Sequence, residues 1–271
     1  MSLQFSSILR AAFNYNQMEK ANEVLQRQLT TGKKFSSPAD NPSLFTRISR
    51  FQREASGYSA YISNIDEGNT VMSIVTDAAS RQLSFLQKML ELAQNASNSN
   101  QNDRDTYNTE YQKLYSELDP IVNNATFNSQ KLLDGTYAAT GLMIATGPGQ
   151  TYELKIANTT ASGLGLSTSG SISSKNAATT AAANIQNAIV MLTNAQTGFG
   201  TDGFILSSRS SIMESKQTEL NALVEKYQHV DLVQVSAQLD QNKLIQQYTL
   251  AVIASITQSQ RDMVKYLFSN V

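Results

Sequence analysis

"LFTRISRFQREASGYSAYISNIDEGNTVMSIVTDAASRQLSFLQKMLELA", residues 44–93, carries apolar side chains at intervals that alternate between four and three. Leu44, Ile48, Phe51, Ala55, Tyr58, Ile62 and Ile65 open the series, and Met72, Ala79, Leu83, Leu86, Leu90 and Ala93 complete it. Its two polar members are Asn69 and Thr76, positions suited to fixing register at some cost in stability. The alternation holds for about seven heptads, as in a helix whose narrow apolar seam faces a partner helix. At about 1.5 Å per residue such a helix spans roughly 75 Å. That is longer than a compact domain of this size needs and predicts a rod.

The same spacing recurs on either side. Ile8, Ala11, Tyr15, Met18, Asn22, Leu25 and Leu29 follow it near the start. Leu220, Leu223, Tyr227 and Val230 follow it near the end, then Ile245, Val252, Ile256, Met263 and Tyr266. A third internal segment puts Tyr107, Tyr111, Leu114, Leu118 and Ile121 on one face, with Pro120 expected to kink or close it. Residues 1–9 and 244–258 contain no charge. Uncharged ends cost little to bury, so the expectation is that they pack against other copies of the chain; pairing with each other inside one molecule is the plainer alternative.

Between residues 29 and 42 the helical pattern breaks, in "LTTGKKFSSPADNP". Gly32 suits a left-handed helix end, Pro38 and Pro42 forbid a continuous helix, and Ser43 or Asn41 can cap the next one. The middle of the chain is different again. Of the thirteen glycines, ten fall between Gly135 and Gly203. Leu142–Ala145 and Tyr152–Ile156 alternate around "TGPGQ" and read as a β-hairpin, although Gly-Pro-Gly is not a favoured two-residue turn. Residues 159–174 are rich in Ser, Thr and Gly and read as an exposed loop.

Composition narrows the function classes. With 271 residues, 41% hydrophobic and a net charge of −1, the chain has no general attraction to nucleic acid or to an acidic membrane surface. It has no cysteine, which removes disulfides and thiolate chemistry. No apolar run approaches the roughly 18 residues of a membrane span. The N-terminus lacks the pattern of a cleavable leader, so export, where it occurs, is expected by another route.

Few residues suggest chemistry. Gly198, Gly200 and Gly203 fit G-x-G-x-x-G, but the segment before them reads as helix through Ile185, Ile189 and Leu192, where a dinucleotide site needs a strand. A helix break or bend is the better expectation. "TTGKK" lacks the other elements of a phosphate loop. His229 is the single histidine and has no carboxylate or serine arrangement near it in sequence. Asp103, Asp105 and Glu110 read as a solvated face. No catalytic, cofactor-binding or metal-binding residues and no cofactor are assigned, and the chain is not expected to be an enzyme.

The order of these features resembles the bacterial flagellins. Leu29, Gly32, Lys33, Ser37, Ala39 and Asp40 match a turn of that family. "DEGNTVMSIV", then Glu91, Leu92, Ala93, Ala96 and Asn98, then Phe127, Asn128, Lys131, Leu132, Leu133, Asp134 and Gly135 match further family patterns in order. "VSAQLDQNKLIQQYTLAVIASITQSQRDMVKYL" is similar to the closing helix.

The resemblance implies a mainly α fold. Long antiparallel coiled-coil helices come from the N- and C-terminal regions, with a small β-hairpin region between them. It implies an inner coiled-coil domain from 1–34 and 235–271, a spoke at 35–43, and a rod domain at 44–234 with a hairpin and exposed loop at about 136–176. The inner-layer contacts then fall to Phe5, Ile8, Tyr15, Met18, Leu25, Leu29, Ile245, Val252, Ile256, Met263 and Leu267. The rod seam falls to Ile48, Phe51, Tyr58, Ile62, Ile65, Met72, Leu83, Leu86 and Leu90, and the spoke to Gly32, Pro38 and Pro42. The implied function is a structural subunit that self-assembles into the flagellar filament for swimming; the alternative is a hook–filament junction adaptor, which has similar termini. The implied partners are many copies of the same chain, junction and cap proteins, and an export chaperone with its export apparatus. The implied location is extracellular, in the flagellum, after export without a cleaved signal peptide.

Overall fold

The computed structural model describes residues 2–35, 37–166 and 170–269, with the side chains of 2–8, 263 and 267–269 left out. Four long helices and a shorter one carry most of it: α1 (Ser2–Thr31), α2 (Pro42–Asn98), α3 (Gln101–Asn124), α5 (Lys175–Gln228) and α6 (Leu232–Ser269). Between α3 and α5 come strands β1 (Thr126–Phe127) and β2 (Gln130–Lys131), the one-turn helix α4 (Thr136–Thr140), and strands β3 (Leu142–Gly147) and β4 (Gln150–Leu154). Both strand pairs are antiparallel two-stranded sheets. The chain forms two compact units, 1–55 with 219–271, and 56–218.

Helix boundaries follow from local chemistry. Gly32 ends α1 at φ 66°, its N–H donating to the Gln28 carbonyl. Asn41 caps α2: its Oδ1 accepts from the Leu44 N–H at 3.0 Å and its carbonyl from the Phe45 N–H. Pro42 then occupies the first helical position, where a missing N–H costs nothing. Asn100 caps α3 reciprocally, its Oδ1 accepting from the Asp103 N–H while its Nδ2 donates to the Asp103 carboxylate. Asp103 is therefore a capping residue, and Asp105 accepts from Gln101 Nε2.

The structure revises three local expectations. Pro120 does not close α3, which runs on to Asn124. Proline removes the donor for the Ser116 carbonyl, but both residues are exposed and water can take its place. Gly198, Gly200 and Gly203 do not break α5, which is continuous from Lys175 to Gln228. Each glycine costs about 1 kcal/mol relative to alanine in a helix, yet buried Leu192, Phe199 and Leu206 on the same helix hold the segment against the core. The described residues of 159–174 are not an exposed loop either: Thr159, Leu164, Leu166 and Ile172 are buried, while 167–169 lie outside the described residues. Side chains of α3 hold this segment down. Asn108 Oδ1 accepts from the Ile172 N–H, Tyr115 Oη donates to the Leu166 carbonyl, and Asp119 Oδ1 accepts from the Ala161 N–H.

The unit formed by 56–218 has the larger core. Ile65, Met72, Val75, Ala79, Leu86, Met89 and Ala93 of α2 join Tyr111, Leu118 and Val122 of α3. Ala178, Ile185, Ala188, Leu192, Phe199 and Leu206 of α5 close it. Gly68 lies where α2 meets Leu206 and Ile144; a Cβ there would come within 3.0 Å of Leu206 Cδ1. The β3–β4 hairpin pairs Leu142 with Leu154 and shifts register between Ala145 and Gly147. Its tight turn is Pro148–Gly149, with Gly149 at φ 67°. The register shift leaves Thr146 buried, where its hydroxyl accepts from Arg209 Nη1 of α5. The hairpin's Tyr152 Oη donates to Asp202 at 2.7 Å, and the Arg209 guanidinium lies 4.8 Å from the Tyr152 ring centroid. These contacts dock the hairpin on α5.

Candidate functional site

In the other unit α1 and α6 lie side by side. A backbone stitch fixes one end of the pair: the Lys34 N–H donates to the Gln228 carbonyl, the Val230 N–H to the Gly32 carbonyl, and Lys33 forms an antiparallel bridge with His229. His229 is thereby placed by its backbone, with its side chain exposed. Asp231 starts α6 by accepting from the Val233 and Gln234 N–H groups at 3.0 and 3.1 Å. Just beyond, Leu25, Val235 and Leu239 bury one another, with Leu29 and Val230 against them. One turn further, Asn22 Nδ2 donates to Gln246 Oε1 at 2.9 Å.

The spoke residues lie in the connection from α1 to α2. Gly32 ends α1, Pro38 sits in a turn where the Asp40 N–H donates to the Ser37 carbonyl, and Pro42 opens α2. Where α2 leaves this connection, Phe51 stacks on Tyr227 at 6.3 Å and Arg47 lies over the same ring.

The two faces of α6 are unequal in an unusual direction. Along the helix Asn242, Gln246, Thr249, Ile253, Ile256 and Gln260 are partly covered, following Val235 and Leu239 at spacings of three and four, with Thr257 partly covered beside them. Five of these seven are polar. Turned to solvent instead are Leu244, Ile245, Tyr248, Leu250 and Val252, each about half exposed or more. Leu9 and Phe13 on α1 are likewise exposed. A helix in water ordinarily buries its apolar face and wets its polar one; here much of the apolar side faces out.

The inner-layer residues read from sequence are therefore dispersed. Leu25 is buried, Tyr15, Met18, Leu29 and Ile256 are partly covered, and Ile245 and Val252 are exposed, one position off the seam. Phe5, Ile8, Met263 and Leu267 lie on α1 and α6, but their side chains fall outside the described residues. Of the seam residues of α2, Ile48, Ile65, Met72 and Leu86 are buried, while Phe51, Tyr58, Ile62, Leu83 and Leu90 are partly covered. Sequence reading missed Val235 and Leu239. Their spacing to Gln246 was available, but it passes through polar residues and so carries no hydrophobic signal.

Among the described residues no group of three His, Asp or Glu is placed to hold a metal, and no helix is long and apolar enough to cross a membrane. The groove along α1 and α6 is lined by Tyr15, Glu19, Asn22, Glu23, Gln26, Lys243 and Gln246.

The family model described as the bacterial flagellin N-terminal helical region matches residues 3–138. Flagellin FljM of Caulobacter vibrioides is 25% identical over 256 residues, covering 94% of this chain and 93% of that one. Flagellin FljO of the same organism is 25% identical over 265 residues, 97% of this chain and 96% of its own. Among solved structures, the crystal structure of Bacillus cereus flagellin superposes with a TM-score of 0.50 at 25% identity, covering 55% of this chain and 88% of that one. A structure from Vibrio parahaemolyticus, described as a flagellar hook-associated protein, reaches 0.60 at 14% identity over 70% of this chain and all of its own, a likeness of fold alone. With half of its length matched by the family model and nearly all of it aligned to flagellins, this chain belongs to the bacterial flagellin family.

Proposed function

We infer that this chain is a structural subunit of the flagellar filament and that it polymerises through the outward apolar face of its terminal helices. The observation that carries this is the inverted amphipathicity of α6, whose Leu244, Ile245, Tyr248 and Val252 stand in solvent while Asn242, Gln246 and Thr249 are partly covered. Fully burying one such apolar side chain is worth roughly 1.5–3 kcal/mol, so several per subunit offset the entropy of association. A heterologous contact that does not close propagates as a helical filament.

Residues 1–34 and 235–271 then supply the inner coiled coil of the polymer, 35–43 its spoke, and 44–234 its rod. Tyr15, Met18, Leu25, Leu29, Ile245, Val252 and Ile256 are the described residues assigned to the inner contacts; Phe5, Ile8, Met263 and Leu267 are proposed on sequence alone. The family is structural, and the role proposed is mechanical: swimming driven by a long polymer outside the cell. Its partners are further copies of itself, the junction and cap proteins at the polymer's ends, and an export chaperone with its apparatus.

Purified chain seeded with sheared filament fragments tests the reading by sedimentation and electron microscopy. The unsubstituted chain forms filaments. The double variant Ile245→Asp with Val252→Asp stays in the supernatant with unchanged helical content, and removal of residues 245–271 leaves a soluble, non-polymerising chain. Filaments from either variant at the wild-type protein concentration overturn the assignment.

A further inference from the structure

Outside the terminal helices, the described residues of 56–218 present a prominent apolar knob and a partly apolar cleft. The knob is Phe204 of α5, 75% exposed. Its helix neighbours Phe199 and Leu206 are buried in the core, so Phe204 points away from it. Val190 and Ile212, also exposed, fall on the same side of the helix, at 14 residues before and 8 after. From Asn176 to Ser208 the single charged residue of α5 is Asp202, and Tyr152 of the hairpin engages it. The outward face of this helix therefore runs for more than 30 residues without an ion. Soluble surfaces ordinarily intersperse charges of both signs, and an ion-free face docks without desolvating one.

The hole lies between α2 and α3. Ala78 and Ala125 form its buried floor, Ile74 and Ile121 its partly covered walls, and Asp77 and Arg81 its exposed rim. Its volume is about 300 Å³, room for one large side chain. No residue of α5 lines it. Phe204 stands in solvent, so it does not fill the hole of its own chain.

We propose that Phe204 of one subunit seats in the α2–α3 cleft of a neighbouring copy. The chemistries match: an aromatic ring meets two alanines and two isoleucines, and the Arg81 guanidinium at the rim can lie over its face. Knob and hole sit on different surfaces of one chain, so the contact is heterologous and repeats from copy to copy. It rests on the self-assembly reading above and adds a second, independent contact in the 56–218 unit.

The absence of native cysteine makes the test direct. Filaments of the double variant Phe204→Cys with Asn124→Cys, the second at the rim of the cleft, are oxidised and resolved on denaturing gels. A ladder of covalent multimers is expected, with monomer from each single variant. Filaments that yield only monomer from the double variant overturn this inference alone, as do dimers from Phe204→Cys by itself, which would set two knobs face to face. Failure of the unsubstituted chain to polymerise removes the self-assembly reading and this contact with it. Independently, Phe204→Asp, at an exposed site, is expected to keep its thermal midpoint while raising the critical concentration for polymerisation at least tenfold. A change under twofold contradicts the proposal.

Discussion

Gly68 shows how a single residue sets the distance between two helices. It is buried in α2, and a Cβ there would meet Leu206 Cδ1 at 3.0 Å and Ile144 at 3.4 Å. A branched side chain at this position must displace both α5 and the hairpin. Gly68→Val is expected to destabilise the chain by about 1–3 kcal/mol through overpacking, read as a lower urea midpoint. Tyr152 illustrates a different control. Desolvation, then its hydrogen bond to Asp202, pushes the phenol up to about 12. A phenol with a raised folded pKa stabilises fully below its unfolded value near 10, and that contribution is lost as pH rises from there through about 12. Tyr152→Phe is therefore expected to cost about 1 kcal/mol at pH 8, the worth of one hydrogen bond. The gap between variant and parent narrows as pH rises from about 10 through about 12. Urea titrations of both proteins across that range check the sign.

At the scale of elements, α5 carries an intrinsic weakness at Gly198 and Gly200. An added Cβ at either meets nothing within 4 Å, and neither has a left-handed backbone. Gly198→Ala and Gly200→Ala should each stabilise by about 0.5–1 kcal/mol through helix propensity and a less flexible unfolded chain, measured by chemical denaturation. The same glycines show where sequence reading reaches its limit. The long seam of α2, the Asn41–Pro42 start and the β3–β4 hairpin were legible because periodicity, capping chemistry and alternation are local signals. The continuity of α5 through three glycines was not, because buried Phe199 and Leu206 decide it from across the core. Nor was the packing of the described residues of 159–174, where Leu164, Leu166 and Ile172 are diluted by Ser and Gly, and the anchors of Leu166 and Ile172 lie 51 and 64 residues away on α3. The β1–β2 turn, with Asn128 and Ser129 both at positive φ, carries only the weak signal of an asparagine. At the candidate site the exposed apolar stripe of α6 was visible as a charge-free run, but which side would face α1 was not. The helix pair is set by Val235 and Leu239 near its start, and the more apolar residues beyond them follow wherever that register takes them.

For the molecule as a whole, the distribution of buried apolar surface predicts where stability resides before assembly. The 56–218 unit encloses a continuous core drawn from α2, α3, α5, the hairpin and the anchored segment after it. In the other unit the α1–α6 contact is a small cluster, Leu25, Val235 and Leu239, followed by a mainly polar seam of Asn22, Asn242, Gln246 and Thr249, with Ile253 and Ile256 partly covered beyond it. Asn22 Oδ1 is buried there without a hydrogen-bond partner, a further cost to the isolated pair. Regions with few buried apolar contacts open at a fraction of the global unfolding free energy. Amide hydrogen exchange on dilute, unassembled chain is therefore expected to be fast along residues 244–266, intermediate around Leu25 and Leu239, and slowest in α2 near Leu86 and α5 near Leu192. Polymerisation should slow the first of these by orders of magnitude while changing the last little, because the polymer provides for α6 the apolar neighbours that its own chain withholds. Firm protection of residues 244–266 in the free chain, equal to that of the 56–218 core, would mean that α1 already satisfies α6, and polymer contacts would have to be sought on the outward face of α5.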